Sequence, residues 1–360
     1  MDSRAPRSWF DEIYLRLVQY GGAGVSLFFV LSGFLITGIL LDTRGSPNAW
    51  RNFLARRALR IFPLYYAVLA IYFVGLPLLG HVPPEERAQG WYWAYLSNFH
   101  IATHGWSAGK LGATWSLAVE EQFYFVWPLA VFALSRRALG WLCTALIVLS
   151  ALLRGWLALR HAPEVSGLAT PYELDGLAWG AWIAIFVRAD RPRLSMAWAA
   201  ALVASGALGI CAVTGRDDLR QLLVIREGDA LARASLQTLW TLSCVGVVIA
   251  GVVAVTGDRV HWALTFAPLR TLGKYSYGLY LLHVPIGVFL RDHRLVDMTL
   301  LPTLRRSHVP AVLLLTLAGC GVTFMAAWVS WYGMEKRLLA LKSHFETPDS
   351  LGEAPRELGR

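Results

Sequence analysis

Two adjacent carboxylates, Glu120 and Glu121, sit in the run Trp115-Ser116-Leu117-Ala118-Val119-Glu120-Glu121-Gln122-Phe123-Tyr124, and an uncharged apolar stretch follows through Leu134. Desolvating a carboxylate costs several kcal/mol unless it is paired or neutralised. Ionisable groups inside membrane segments mark substrate or proton sites. The same two groups at headgroup level would cost little, and spacing alone leaves both readings open. Helix neighbours point roughly 100° apart, so at most one of the two is expected to face a bundle interior. Helical phase favours Glu120, which shares a face with Tyr124 and Trp127 at i+4 and i+7. A carboxylate on that face can orient a histidine or receive a hydroxyl.

Further candidates lie along the chain. Arg56, Arg57 and Arg60 precede an apolar run, with Arg56 and Arg60 one turn apart on one face. Guanidinium forks match phosphate oxygens, and arginines there also serve as plain topology signals. His283 falls about 11 residues into an apolar helix, roughly 16 Å deep. It is either a core group satisfied by Tyr275, Ser276 or Tyr280, or a base or polariser, since histidine titrates near neutrality. His100 and His104 have i, i+4 spacing but no third metal ligand at a suitable distance. The aromatics Trp91, Tyr92, Trp93, Tyr95 and Trp106 suit either a sugar platform or an interfacial belt. Asp175 begins a helix, where capping is its ordinary role. It is also a candidate acceptor contact.

The elements that must hold these groups follow from composition. The chain has 360 residues, 56% hydrophobic and 16% charged, with a mean hydropathy of +0.47; this excludes a soluble domain. Apolar runs recur at 61–80, 194–214, 234–256 and 309–333, with shorter or interrupted ones at 25–41, 120–134, 139–153, 174–187 and 272–290. About nine membrane-spanning helices are expected. Residues 91–99 are too short to span and read as interfacial or re-entrant. The domain is expected over residues 1–334, with a polar, disordered cytoplasmic tail at 335–360.

Cys143, Cys211, Cys244 and Cys320 all fall inside predicted spans, without disulfide or zinc spacing, and read as packing residues. The net charge of +9 comes from arginines dispersed among loops, which argues against nucleic acid as a partner. No Walker loop, GxGxxG motif or fixed-period repeat is present. Loop charge orients the spans: Arg44, Arg51, Arg56, Arg57 and Arg60 face only Asp42, so the segment after the first span is assigned to the cytoplasm. Alternation then puts Arg136, Arg137, Arg188, Arg191 and Arg193 inside, and leaves Arg291, Arg294, Arg305 and Arg306 outside. It also leaves residues 1–24, with Arg4, Arg7 and Arg16, outside with no preceding span.

Five blocks in order resemble the acyltransferase-3 family of bacterial membrane O-acyltransferases. They are residues 24–36 (Gly24 to Ile36), residues 53–66 with Arg56, Arg57 and Arg60, residues 115–124 with Pro128, residues 272–285 with His283, and residues 330–335. The resemblance covers about residues 20–340. It implies an all-α polytopic bundle of about ten helices in the inner (plasma) membrane. It also implies transfer of a short acyl group, acetyl, succinyl or branched, from cytoplasmic acyl-CoA, with acetyl-CoA the expected donor, to a hydroxyl of a carbohydrate-containing acceptor. No bound cofactor or metal is implied; the partners are the bilayer, acyl-CoA and the acceptor.

Carried onto this sequence, Glu120, His283 and Glu121 are the catalytic candidates, and Arg57, Arg60 and Arg56 bind the donor. Trp115, Tyr124, Asp175 and Tyr280 contact the acceptor. The family places an arginine and a histidine on a helix before the Gly24 block, whereas no histidine here precedes His81. The expectation is therefore that the reading frame extends upstream of Met1 and encodes that helix. Glu173 stands where many members carry a basic residue. The other readings are a transporter, which interrupted spans with intramembrane charge would also suit, and a non-catalytic member of the family.

Overall fold

The computed structural model describes residues 22–106, 110–189, 194–214, 230–255, 258–292 and 309–345. In lipid, a chain must satisfy its own backbone groups, and the apolar runs do so as helices. These are α1 (Ala23–Asp42), α2 (Ala49–Ala70), the short α3 (Ser97–His104), α4 (Thr114–Ala133), α5 (Arg136–Leu159), α6 (Thr170–Val187), α7 (Met196–Thr214), α8 (Ala230–Val253), α9 (Ala267–Asp292) and α10 (Val309–Ser330). Each predicted span coincides with one long helix. The stretches Gly24–Asp42, Ala49–Leu78, Arg136–Leu159, Ala234–Val253 and Leu313–Phe345 are long and apolar enough to cross a membrane. Side chains such as Leu78 (83% exposed), Trp141 (71%) and Leu317 (69%) face outward, as a lipid solvent requires. The chain is a multi-pass helical membrane protein.

α1 is the hub, packing against α4, α6 and α8. Its seam with α6 is made by glycine. A Cβ on Gly33 would stand 2.0 Å from the carbonyl oxygen of Leu177, and one on Gly180 1.9 Å from that of Val30. Without side chains there, the two backbones touch, the arrangement by which small residues drive helix association in membranes. α5 and α8 cover the other sides of α6, α7 packs on α8, and α9 pairs with α10.

Several helix ends depart from the expected spans. α2 begins at Ala49, so Arg51, Arg56, Arg57 and Arg60 ride on the helix instead of in a loop. Apolar Trp50, Phe53 and Leu54 interleave with them and extend the helical stripe beyond the uncharged run. α4 begins at Thr114, which puts Glu120 and Glu121 well inside the helix instead of at its mouth. Beyond α10 the chain makes a wide π turn (Trp331–Glu335) and stays helical through Lys336–Ala340 and Leu341–Phe345, packing on α2. The first part of the expected polar tail is thus ordered against the bundle; residues 346–360 lie outside the described residues, as do Arg4, Arg7, Arg16, Arg191, Arg193, Arg294, Arg305 and Arg306. Cys143 and Cys244 are buried as expected, whereas Cys320 is exposed on the outer surface of α10.

Overpacking a tight contact costs about 1–3 kcal/mol. Gly33→Ala and Gly180→Ala should each lower the thermal midpoint of the detergent-solubilised protein, while Gly287→Ala, which meets open space, should leave it unchanged. Equal midpoints for all three variants would show that the α1–α6 seam does not carry the bundle.

Candidate active site

A polar strip runs through the apolar centre between α1, α4 and α9. Glu120 on α4 is 4% exposed, and its Oε1 accepts hydrogen bonds from the hydroxyls of Ser32 on α1 and Tyr124 one turn further along α4. Those two hydroxyls lie 2.6 Å apart. Trp127 donates its indole N–H to Thr37 Oγ1 at 2.8 Å, so the Glu120–Tyr124–Trp127 face meets α1 along its length, in the phase the sequence predicts. One turn before Glu120, the Ser116 hydroxyl is hydrogen-bonded to that of Tyr280 on α9. Trp115 packs edge-on against Phe29, with ring centroids 6.1 Å apart, and Tyr280 stacks on Phe28. A carboxylate fixed by two hydroxyl donors in a dry core is pre-oriented to receive a further proton or hydrogen bond.

Both glutamates are buried, contrary to the expectation that one would be. α1 and α2 flank α4 on neighbouring sides, so side chains 100° apart are both covered. Glu121 is 3% exposed and its Oε1 has no hydrogen-bond partner. It lines an apolar cavity of about 490 Å³ between α2 and α4, together with Trp50, Leu54, Phe62 and Arg57. Arg57 also lines a second cavity, of about 220 Å³, with Arg56, Arg60 and Lys342. Its guanidinium lies 5.4 Å from the centre of the Tyr124 ring and 5.9 Å from that of Phe53. Arg57 therefore stands between the basic cavity and the carboxylates, and the aromatic faces hold it there by cation–π attraction.

The remaining candidates lie off this strip, His283 beside its Tyr280 end with ring centroids 5.6 Å apart. His283 is exposed, and its Nδ1 lies 2.5 Å from the carbonyl oxygen of Tyr280, its own residue three earlier. A carbonyl only accepts, so Nδ1 donates in this contact. Asp175 takes a bidentate ion pair from Arg154, at 2.9 and 2.6 Å, with both side chains 4% exposed. Arg154 also donates to Tyr172 O and Thr238 Oγ1, and Gln237 donates to Glu173 at 2.8 Å. Asp175 thus joins α5, α6 and α8, and the structure does not bring it to the Glu120 strip. His100 and His104 stack on each other, centroids 4.6 Å apart, with Trp91 over His100. Ser32 and Arg154 were not singled out by sequence. The available signals were a lone hydroxyl inside the 24–36 apolar block and a lone arginine closing an apolar run.

Residues 3–328 match the family described as "Acyltransferase domain". The chain belongs to this family. Among curated proteins it is 30% identical over 290 residues to the "Peptidoglycan O-acetyltransferase OatA" of Listeria monocytogenes, a match covering 74% of this chain and 45% of that protein. It is 29% identical to the "Putative peptidoglycan O-acetyltransferase YrhL" of Bacillus subtilis, covering 74% and 44%. It is 27% identical to the "O-acetyltransferase OatA" of Staphylococcus aureus, covering 76% and 47%. The match thus spans a little under half the length of these relatives. No solved structure matches significantly.

Ser32→Ala removes one of the two donors to Glu120 and leaves the helix seam intact. A hydrogen bond to a charged group is worth about 1.5–3 kcal/mol. Ser32→Ala should therefore lower acyl transfer about tenfold or more, and Ser32→Thr, which keeps the hydroxyl, should restore most of it. Full activity in Ser32→Ala, at matched membrane levels, would show that Glu120 does not depend on this donor.

Proposed function

We propose that this chain is an integral-membrane O-acyltransferase. It takes an acetyl or similar short acyl group from a coenzyme A thioester on the cytoplasmic side of the inner membrane. It delivers that group to a hydroxyl of a carbohydrate acceptor. The observation that carries the proposal is the place of Arg57, which lines the basic cavity and lies over the ring of Tyr124, whose hydroxyl donates to Glu120. The names of the relatives make a peptidoglycan glycan the first acceptor to assay.

In this reading Arg56, Arg57 and Arg60 hold the donor's phosphates by charge-assisted hydrogen bonds. The apolar cavity beside Glu121 accommodates the less polar arm of the donor. A base removes the proton of the acceptor hydroxyl as its oxygen attacks the thioester carbonyl carbon. The tetrahedral oxyanion then collapses, the C–S bond breaks, and the thiolate leaves and takes up a proton while the ester C–O bond remains. Glu120 fits the base or orienting role because its carboxylate is held fixed. Nε2 of His283, free of the Tyr280 contact, is the second group able to move that proton. Tyr280 and Ser116 supply hydroxyls along the same strip for the acceptor or the oxyanion.

The experiment is acyl transfer by the full-length protein in native membranes, with variants compared at matched insertion. Glu120→Gln keeps the shape and removes the charge, and should abolish transfer, while Glu121→Gln keeps most of it. The opposite ranking would move the chemistry to the α2 side of α4. Arg57→Ala and Arg60→Ala should each raise KM for acetyl-CoA about tenfold to a hundredfold, by loss of about 1.5–3 kcal/mol. Unchanged donor kinetics in the inserted double variant would return these arginines to a topological role.

A further inference from the structure

The basic cavity is not built from α2 alone. Lys342 and Phe345, on the turn Leu341–Phe345, line the same 220 Å³ space as Arg56, Arg57 and Arg60. Two segments far apart in sequence thus bring four cations to one cavity, and no carboxylate is among its described lining residues. Among the described residues the ion pairs are Arg154 with Asp175 and Arg188 with Asp42, neither at this cavity. The nearby Glu335 accepts a hydrogen bond from Ser330 at 2.7 Å. Like charges within about 8 Å of one another repel with little screening at physiological salt. A headgroup-facing lysine has no need to turn toward three arginines, since snorkelling takes such groups outward to water. Glu120 and Glu121 lie behind Arg57, and Glu335 near Arg60, but with four convergent donors and no ion pair among its described lining residues, this cavity suits an anion carrying several charges. The segment also lies beyond residues 3–328, the part that matches the family.

We propose that Lys342 is a fourth phosphate ligand of the donor site and that the turn Leu341–Phe345 caps it, Phe345 supplying an apolar wall. The occupant is the set of phosphate groups of a coenzyme A thioester, which rests on the donor reading above. The three arginines reach the cavity from one helix and so present their charge from one side. Lys342 closes it from the other, on a flexible stem with three donors.

The test uses the full-length chain in lipid nanodiscs and two radiolabelled probes. These are acetyl-CoA and S-acetylpantetheine, the same thioester without phosphates. Lys342→Gln should weaken acetyl-CoA binding about tenfold and leave S-acetylpantetheine binding within about twofold, as expected for one charge-assisted phosphate contact. Lys342→Arg should restore most of the loss. Arg270→Gln, which removes an exposed charge of α9 outside the cavity, should change neither probe. Unaltered acetyl-CoA affinity in Lys342→Gln, alongside weakened binding in Arg57→Ala, would overturn the cap and leave the donor reading standing. Equal losses for both probes would make Lys342 a packing residue and also overturn the cap. Failure of the unaltered chain to bind acetyl-CoA would overturn the donor reading, and the cap with it.

Discussion

The backbone contact between α1 and α6 sets the position of nearly everything else. Gly33 and Gly180 let the two helices approach until carbonyl oxygens occupy the space a methyl group would need. Once Gly33 is seated on α6, its neighbour Ser32 is turned by roughly 100°, and that turn aims its hydroxyl at α4. Phe28, one turn earlier, stacks on Tyr280 of α9, and Thr37, further on, meets Trp127. A single helix with no charge between Ala23 and Leu41 thereby orients groups from two other helices around one carboxylate.

The bundle handles buried charge in two ways. Arg154 and Asp175 form a paired set, with both carboxylate oxygens and both terminal guanidinium nitrogens engaged and only Nε of Arg154 left without a partner. Such a pair is costly to break because either partner alone would be a stranded ion. Its effect is to lock α5 and α6 together and reach α8. The arginine end of α2 is an open set, with cations gathered and no acid among the described walls of the cavity. The first arrangement pairs its charges within the protein. The second leaves positive charge available to a ligand.

Sequence pattern made the helices legible because lipid thickness and backbone satisfaction leave few alternatives. It also found the Glu120 face, since i+4 and i+7 spacing depends only on helical geometry. Helix ends were less visible. Hydropathy reports where lipid begins, whereas α2 and α4 continue past that limit on stripes of tryptophan, phenylalanine and leucine. Partners were least visible. Ser32 looks like any small residue of an apolar block, and Asp175 looks like a helix start until Arg154, 21 positions away, is found beside it. The burial of both glutamates had the same origin, because one helix does not reveal how many neighbours it has.

The continuous helix through Glu335 to Phe345 has a consequence for biogenesis. One wall of the basic cavity belongs to α2, made early, and the other to residues made after α10. While the chain is being synthesised, the arginines of α2 face water and lipid with that wall missing. The cavity closes only when α9 and α10 have been inserted and the segment beyond them has folded back onto α2. A chain synthesised only through α8 is thus left without a complete basic pocket.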